Sequence, residues 1–218
     1  MNDGKHAVAT VFAMPALLLA IGAGSTTALA QSAPADLPPG VYMGEADYKQ
    51  ATAGTYTLDP DHASVIARVS HLRYSWSIFR FDKVSGTLKW DPANTANSSI
   101  SAKVETASIT SNVKGFAQDL AGNNFLKSAA FPEATFVSTA FRQMSTRRGK
   151  VDGQLTLMGK TKAVTFDVEL VGAGKGFADR PRIGVSARGN INPVDFGLPP
   201  LFGDAIEIVL DVEFQKDA

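Results

Sequence analysis

Few side chains in this chain of 218 residues are equipped for covalent chemistry. It contains no cysteine and three histidines, of which His6 sits in an apolar leader. That leaves His62 and His71, with Asp59 and Asp61 nearby, as the candidate metal ligands. Their spacing matches no compact ligand motif, and they flank a strand rather than share one of its faces. Ser, His and Asp are all present, but no Ser stands in a G-x-S-x-G elbow, and a cysteine nucleophile is ruled out by composition. Gly159-Lys160-Thr161 has the end of a phosphate loop, yet Gln154 stands where that loop needs Gly, and the context is a hairpin. No Gly-rich dinucleotide signature is present. The residue types therefore assign no catalytic group, no metal and no cofactor. His62 and His71 are read as capping or polar mouth groups.

The elements that would position such groups are strands. Ile206, Ile208, Leu210, Val212 and Phe214 alternate with Glu207, Asp211 and Glu213, the period of a half-buried strand. The same alternation marks Val65, Ala67 and Val69, then Val84, Gly86, Leu88 and Trp90, then Ile100, Ala102 and Val104. It returns in Ile183, Val185, Ala187, Gly189 and Ile191. Gly159-Lys160 reads as a two-residue turn with Gly first, which pairs Leu155 with Val164, Gly153 with Phe166 and Val151 with Val168. In that register Gly153 makes room for the Phe166 ring. Strand starts at Tyr56, Ser64, Val84, Ser99, Ala134, Val151, Lys162, Arg182 and Ile206 amount to about eight or nine strands, an antiparallel sandwich or barrel. One helix is expected between Ser111 and Gly122, capped by Ser111 or Asn112, with Phe116 and Leu120 one turn apart.

Inward positions mix bulky residues (Trp90, Phe166, Leu210, Phe214) with very small ones (Ala67, Gly86, Ala102, Gly153, Ala187). Small residues at mid-strand leave room for a ligand. Equally, large and small residues alternate to fit the taper of a filled barrel.

The ends and the charge bound the rest. Ala7 to Ala23 is apolar and is followed by Ala28-Leu29-Ala30, so residues 1–30 read as a cleavable signal peptide. Residues 31–53, rich in Ala, Pro and Gly, read as a linker, and residues 54–216 as the domain. Export places the protein in the periplasm with no membrane span after processing. Twenty-one basic residues balance 21 acidic ones, which argues against nucleic acid as a partner.

Several segments in order resemble one family. They are Tyr56-Thr57-Leu58-Asp59, Val69-Ser70-His71-Leu72, Phe125-Leu126-Lys127-Ser128, Phe131-Pro132-Glu133-Ala134-Thr135-Phe136, Gly153-Gln154-Leu155-Thr156-Leu157 and Asp195-Phe196-Gly197. Their order and spacing resemble the YceI-like family of exported bacterial proteins. The resemblance implies an all-β fold, an extended lipocalin-like antiparallel barrel of about eight strands with a short helical insertion near one end. It implies a pore that takes a long isoprenoid chain, either a polyprenyl lipid or a quinone tail. Several members look dimeric, which makes a homodimer a candidate state. The sequence departs from the family at Arg73, where Gly is common, and at Pro193-Val194 before Asp195.

The reading carried forward is a non-enzymatic isoprenoid binder. Its expected lining is Val65, Ala67, Val69, Phe81, Leu88, Ala102, Leu155, Phe166 and Ala187, with Phe116, Leu120, Phe125 and Phe131 near one end. The alternatives are an enzyme acting on an apolar substrate and a structural or stress protein with a filled barrel.

Overall fold

Among the described residues ten strands form a single antiparallel sheet, and its last strand in sequence pairs back with its first. The structure is a computed structural model that describes residues 37–199 and 204–218. The expected signal peptide and residues 31–36 of the expected linker lie outside the described residues. The strands are β1 (Gly54–His71), β2 (Ser75–Phe81), β3 (Val84–Trp90), β4 (Ser99–Glu105), β5 (Ile109–Thr110), β6 (Glu133–Gln143), β7 (Arg148–Leu157), β8 (Lys160–Lys175), β9 (Pro181–Ile191) and β10 (Ile206–Lys216). Sheet order runs β10-β9-β8-β7-β6-β4-β3-β1-β2-β5, and β1 also pairs with β10. That pairing, from Tyr56 opposite Lys216 to Arg68 opposite Glu207, closes an eight-strand barrel and removes the sheet edge there.

β1 joins two of the expected strands into one, and its register slips between Leu58 and Ala63. Its first residues pair with β3 and its last with β2. β2 had no place among the expected strand starts. Trp76 and Ile78 face one side of it and Phe79 and Phe81 the other, so no polar face reveals the period.

The expected β7–β8 register is corrected by two residues. Val151 pairs with Phe166, Gly153 with Val164 and Leu155 with Lys162. The turn residues are Met158 (φ 51°) and Gly159 (φ 74°), a type I′ geometry. Met158 accepts the left-handed conformation because its side chain is buried in the core at that end of the barrel. A shift of two keeps every residue on its expected face, so the apolar pattern could not detect it. Gly153 makes room for a different ring than expected. A Cβ there would lie 2.3 Å from Cζ of Phe136, on the neighbouring strand β6.

The expected helix is shorter than its sequence pattern. α1 spans Phe116–Ala121, begins after Gly115 in the left-handed conformation, and ends at Gly122. Ser111 does not cap it; its Oγ accepts a hydrogen bond from the Val113 amide in the turn before. A second short helix, α2 (Pro193–Phe196), leads toward β10. Buried side chains gather in two clusters, one around Val69, Leu120, Leu157 and Phe196, the other around Tyr56, Leu88, Ile183 and Phe214.

The later part of the expected linker is a strap packed on the domain. Glu45 and Ala173 exchange both backbone hydrogen bonds, at 2.8 and 2.9 Å. The chains cross so closely there that a Cβ on Gly44 would stand 3.0 Å from the Gly172 Cα. Ala51 is fully buried, and the Tyr56 hydroxyl donates to the Thr52 carbonyl at 2.7 Å.

Candidate functional site: an apolar cavity along the barrel

The inward faces of the strands do not meet. They enclose a cavity of about 330 Å³, within the range of small-molecule sites. Eleven of the expected lining residues stand on its wall: Val65, Ala67, Val69, Phe81, Leu88, Ala102, Leu120, Phe125, Leu155, Phe166 and Ala187. Each β-strand among them contributes through alternate positions, which is why the period located them. Phe116 and Phe131 stand behind the wall instead. Phe116 packs against Phe79 and Phe125 at ring-centroid distances of 6.0 and 6.4 Å. Phe131 lies beside the β7–β8 turn, where a Cβ on Gly159 would sit 2.9 Å from its ring. Phe136 meets Phe166 edge-on at 5.2 Å, and both line the cavity.

The two ends of the cavity differ. One is closed by the buried side chains of Leu120, Leu126, Leu157, Ile191, Leu198 and Ile206. The other opens at the β6–β7 hairpin, where the exposed residues Gln143, Ser145, Thr146, Arg147 and Arg148 form the rim with Thr95, Trp90 and Tyr48. The strap crosses this open end. The Tyr48 amide donates to the Thr146 carbonyl at 3.3 Å, and Gln143 Nε2 donates to the Tyr48 hydroxyl at 2.9 Å. The Tyr48 and Trp90 rings meet edge-on at 5.9 Å. Sequence reasoning missed this rim because most of its residues sit in turns and at strand ends, with no period to mark them.

The expected polar mouth is thereby corrected. Neither His62 nor His71 lines the cavity. His62 lies on the outside, where β1 loses register, with Nδ1 3.0 Å from Asp59 Oδ2 and its side chain 61% exposed. His71 ends β1 opposite Ser75 and is exposed. Asp59 also accepts from Arg182 Nη1 at 2.9 Å, and the same guanidinium bonds Glu213. Burial pushes the Asp59 carboxyl up, but hydrogen bonds from His62, Arg182 and the Asp61 amide outweigh it and hold the group below its ordinary value. This charged hub joins β1, β9 and β10 on the outer surface, where it fastens the barrel seam.

Among the described residues, no carboxylate and no imidazole lines the cavity, and no cluster of three or more metal-ligating side chains forms. The other carboxyls held below their usual range, Asp91, Asp152, Asp179 and Asp204, stand apart from the lining. The arrangement can bury an apolar chain. It brings no acid-base pair together at the wall.

A sequence profile described as the YceI-like domain matches residues 56–214. The chain belongs to the YceI-like family. A UPF0312 protein of Pseudomonas putida (strain W619) is 36% identical over 171 residues, covering 77% of this chain and 89% of the relative. A UPF0312 protein of Pseudomonas fluorescens (strain SBW25) is 34% identical over 168 residues, covering 76% and 88%. Among solved structures, the Campylobacter jejuni YCEI protein matches this YceI-like chain with a TM-score of 0.62 at 25% identity, covering 69% of this chain and 91% of that one. A polyisoprenoid binding domain from Saccharophagus degradans matches with a TM-score of 0.59 at 13% identity, covering 76% of this chain and all of the other, a likeness of fold.

Proposed function

We propose that this protein is a non-enzymatic container for a long isoprenoid chain, a polyprenyl lipid or the tail of a quinone. One observation carries the reading: a continuous apolar cavity, closed at one end and open at the other, with no carboxylate or imidazole on its wall among the described residues. Burying each CH₂ of such a chain is worth roughly 0.8 kcal/mol, so several isoprene units bind without polar contacts. The polyisoprenoid binding of the Saccharophagus degradans domain supports the same ligand class here. A catalytic reading would need an acid-base pair converging on the ligand, and among the described residues no carboxylate or imidazole lines the cavity to supply one. The apolar stretch Ala7 to Ala23 and the Ala28-Leu29-Ala30 site favour export and a periplasmic location.

Native mass spectrometry with organic extraction tests the proposal on protein isolated from the cells that make it. A co-purifying prenyl species near one per chain is the expected result. Protein that carries none, and that takes up none from detergent micelles of a polyprenol or a prenylated quinone, overturns it.

A further inference from the structure

The rim of the cavity is built unlike its wall. Residues 142–150 hold four basic residues (Arg142, Arg147, Arg148 and Lys150) and no acidic one, in a chain whose total charge is balanced. Met144 stands at the tip of this hairpin with 66% of its surface exposed. In the antiparallel order β6-β7-β8-β9, the β6–β7 and β8–β9 turns lie at the same end of the barrel. The β8–β9 turn carries Phe177, which is 69% exposed, beside the left-handed Ala178 and Asp179. Arg142 pairs with Asp152, Arg147 with Glu169, Lys150 with Asp167 and Lys175 with Asp179, whereas Arg148 and Arg180 meet no carboxylate among the described residues.

We infer that this open end docks on the surface of an anionic lipid bilayer. The inference rests on the container reading, because an isoprenoid chain is insoluble in water and resides in a membrane. A protein that holds one must bring its opening to that surface. Exposed apolar tips beside the two unpaired cations, Arg148 and Arg180, are the chemistry of a shallow membrane contact: the tips enter the headgroup region while the two guanidinium groups meet lipid phosphates. A competing apolar patch, Leu72, Tyr74 and Trp76, lies at the closed end. A chain could leave there only by unpacking Leu120, Leu157 and Leu198, all buried. The open end therefore carries the assignment.

The absence of cysteine makes the test direct. Single-cysteine variants Met144→Cys, Phe177→Cys and Leu72→Cys are labelled with a polarity-sensitive fluorophore. Each is mixed with vesicles of phosphatidylcholine alone or of phosphatidylcholine with phosphatidylglycerol. A label reports its own surroundings, so attraction elsewhere in the chain does not imitate docking. Labels at 144 and 177 should shift to shorter wavelength with the anionic vesicles, less so at high salt, while the label at 72 stays unchanged. Replacing Arg148 and Arg180 by Ser should weaken vesicle binding by roughly fivefold for each charge lost. A shift at 72 instead, or at no position, overturns the inference. Uptake of a polyprenol from detergent is measured alongside. Uptake without docking overturns the inference and leaves the container reading standing; docking without uptake overturns the container reading and removes the loading role from the contact.

Discussion

Gly153 shows how tightly one residue can be specified. Its missing side chain is occupied by the edge of Phe136, with ring atoms 2.3 and 2.5 Å from where a Cβ would stand and the Val137 carbonyl oxygen at 2.6 Å. A methyl group there forces both a ring and a backbone atom to move. Gly153→Ala should lower stability by about 1–3 kcal/mol, the range for overpacking. Gly184 provides the internal control, since the nearest atoms to its Cβ position stand at 3.8 Å, an ordinary contact. There an Ala should be neutral or stabilise by about 0.4–1 kcal/mol through the unfolded chain. Urea unfolding of the two variants checks the pair, and equal effects would refute the steric account. The same geometry removes Gly153 as a site for narrowing the cavity, because a larger group would disturb the sheet before it reached a ligand.

At the level of elements, what was legible in the sequence was whatever is local. Alternation along a strand depends on neighbours two residues apart, so the faces of β4 and β9, and with them their share of the cavity wall, could be read directly. The turn between β7 and β8 could not, because burial of Met158 favours it over the more permissive pair Gly159-Lys160. The strap was illegible for a related reason. Nothing near Tyr48 in sequence shows that it will meet Trp90, Gln143 and Thr146. The strap's grip at the opening is slight: one ring contact and two hydrogen bonds, each hydrogen bond worth about 0.5–1.5 kcal/mol net. Its anchors at Glu45 and Ala51 are independent of Tyr48. Tyr48→Ala should therefore leave the barrel folded, cost about 1–3 kcal/mol, and speed release of a bound prenyl chain. Stopped-flow transfer of a fluorescent polyprenol to acceptor vesicles reads the off-rate. An unchanged rate would mean the strap does not cover the exit.

Across the whole molecule, occupancy and stability are linked. Two buried clusters hold the barrel, and the cavity runs between them, bordered by members of both. Wall atoms facing empty space lack the dispersion contacts that a filled core would have, and a bound chain supplies them. Ligand at a hundred times its dissociation constant should add about 2.7 kcal/mol to unfolding. For a domain of this size that raises Tm by roughly 5–10 °C. Ala102→Phe separates this effect from general stabilisation. Ala102 lines the cavity from β4, between Gly86 on β3 and Phe136 on β6, so the added ring projects into the space the ligand would use. The unliganded variant should melt at or above the parent, because the ring replaces part of the missing contact. With prenyl lipid added it should gain little, because the same ring displaces the chain. Scanning calorimetry of parent and variant, each with and without polyprenol in micelles, reads all four values. A ligand-induced rise in Ala102→Phe as large as in the parent would place the chain somewhere other than this cavity.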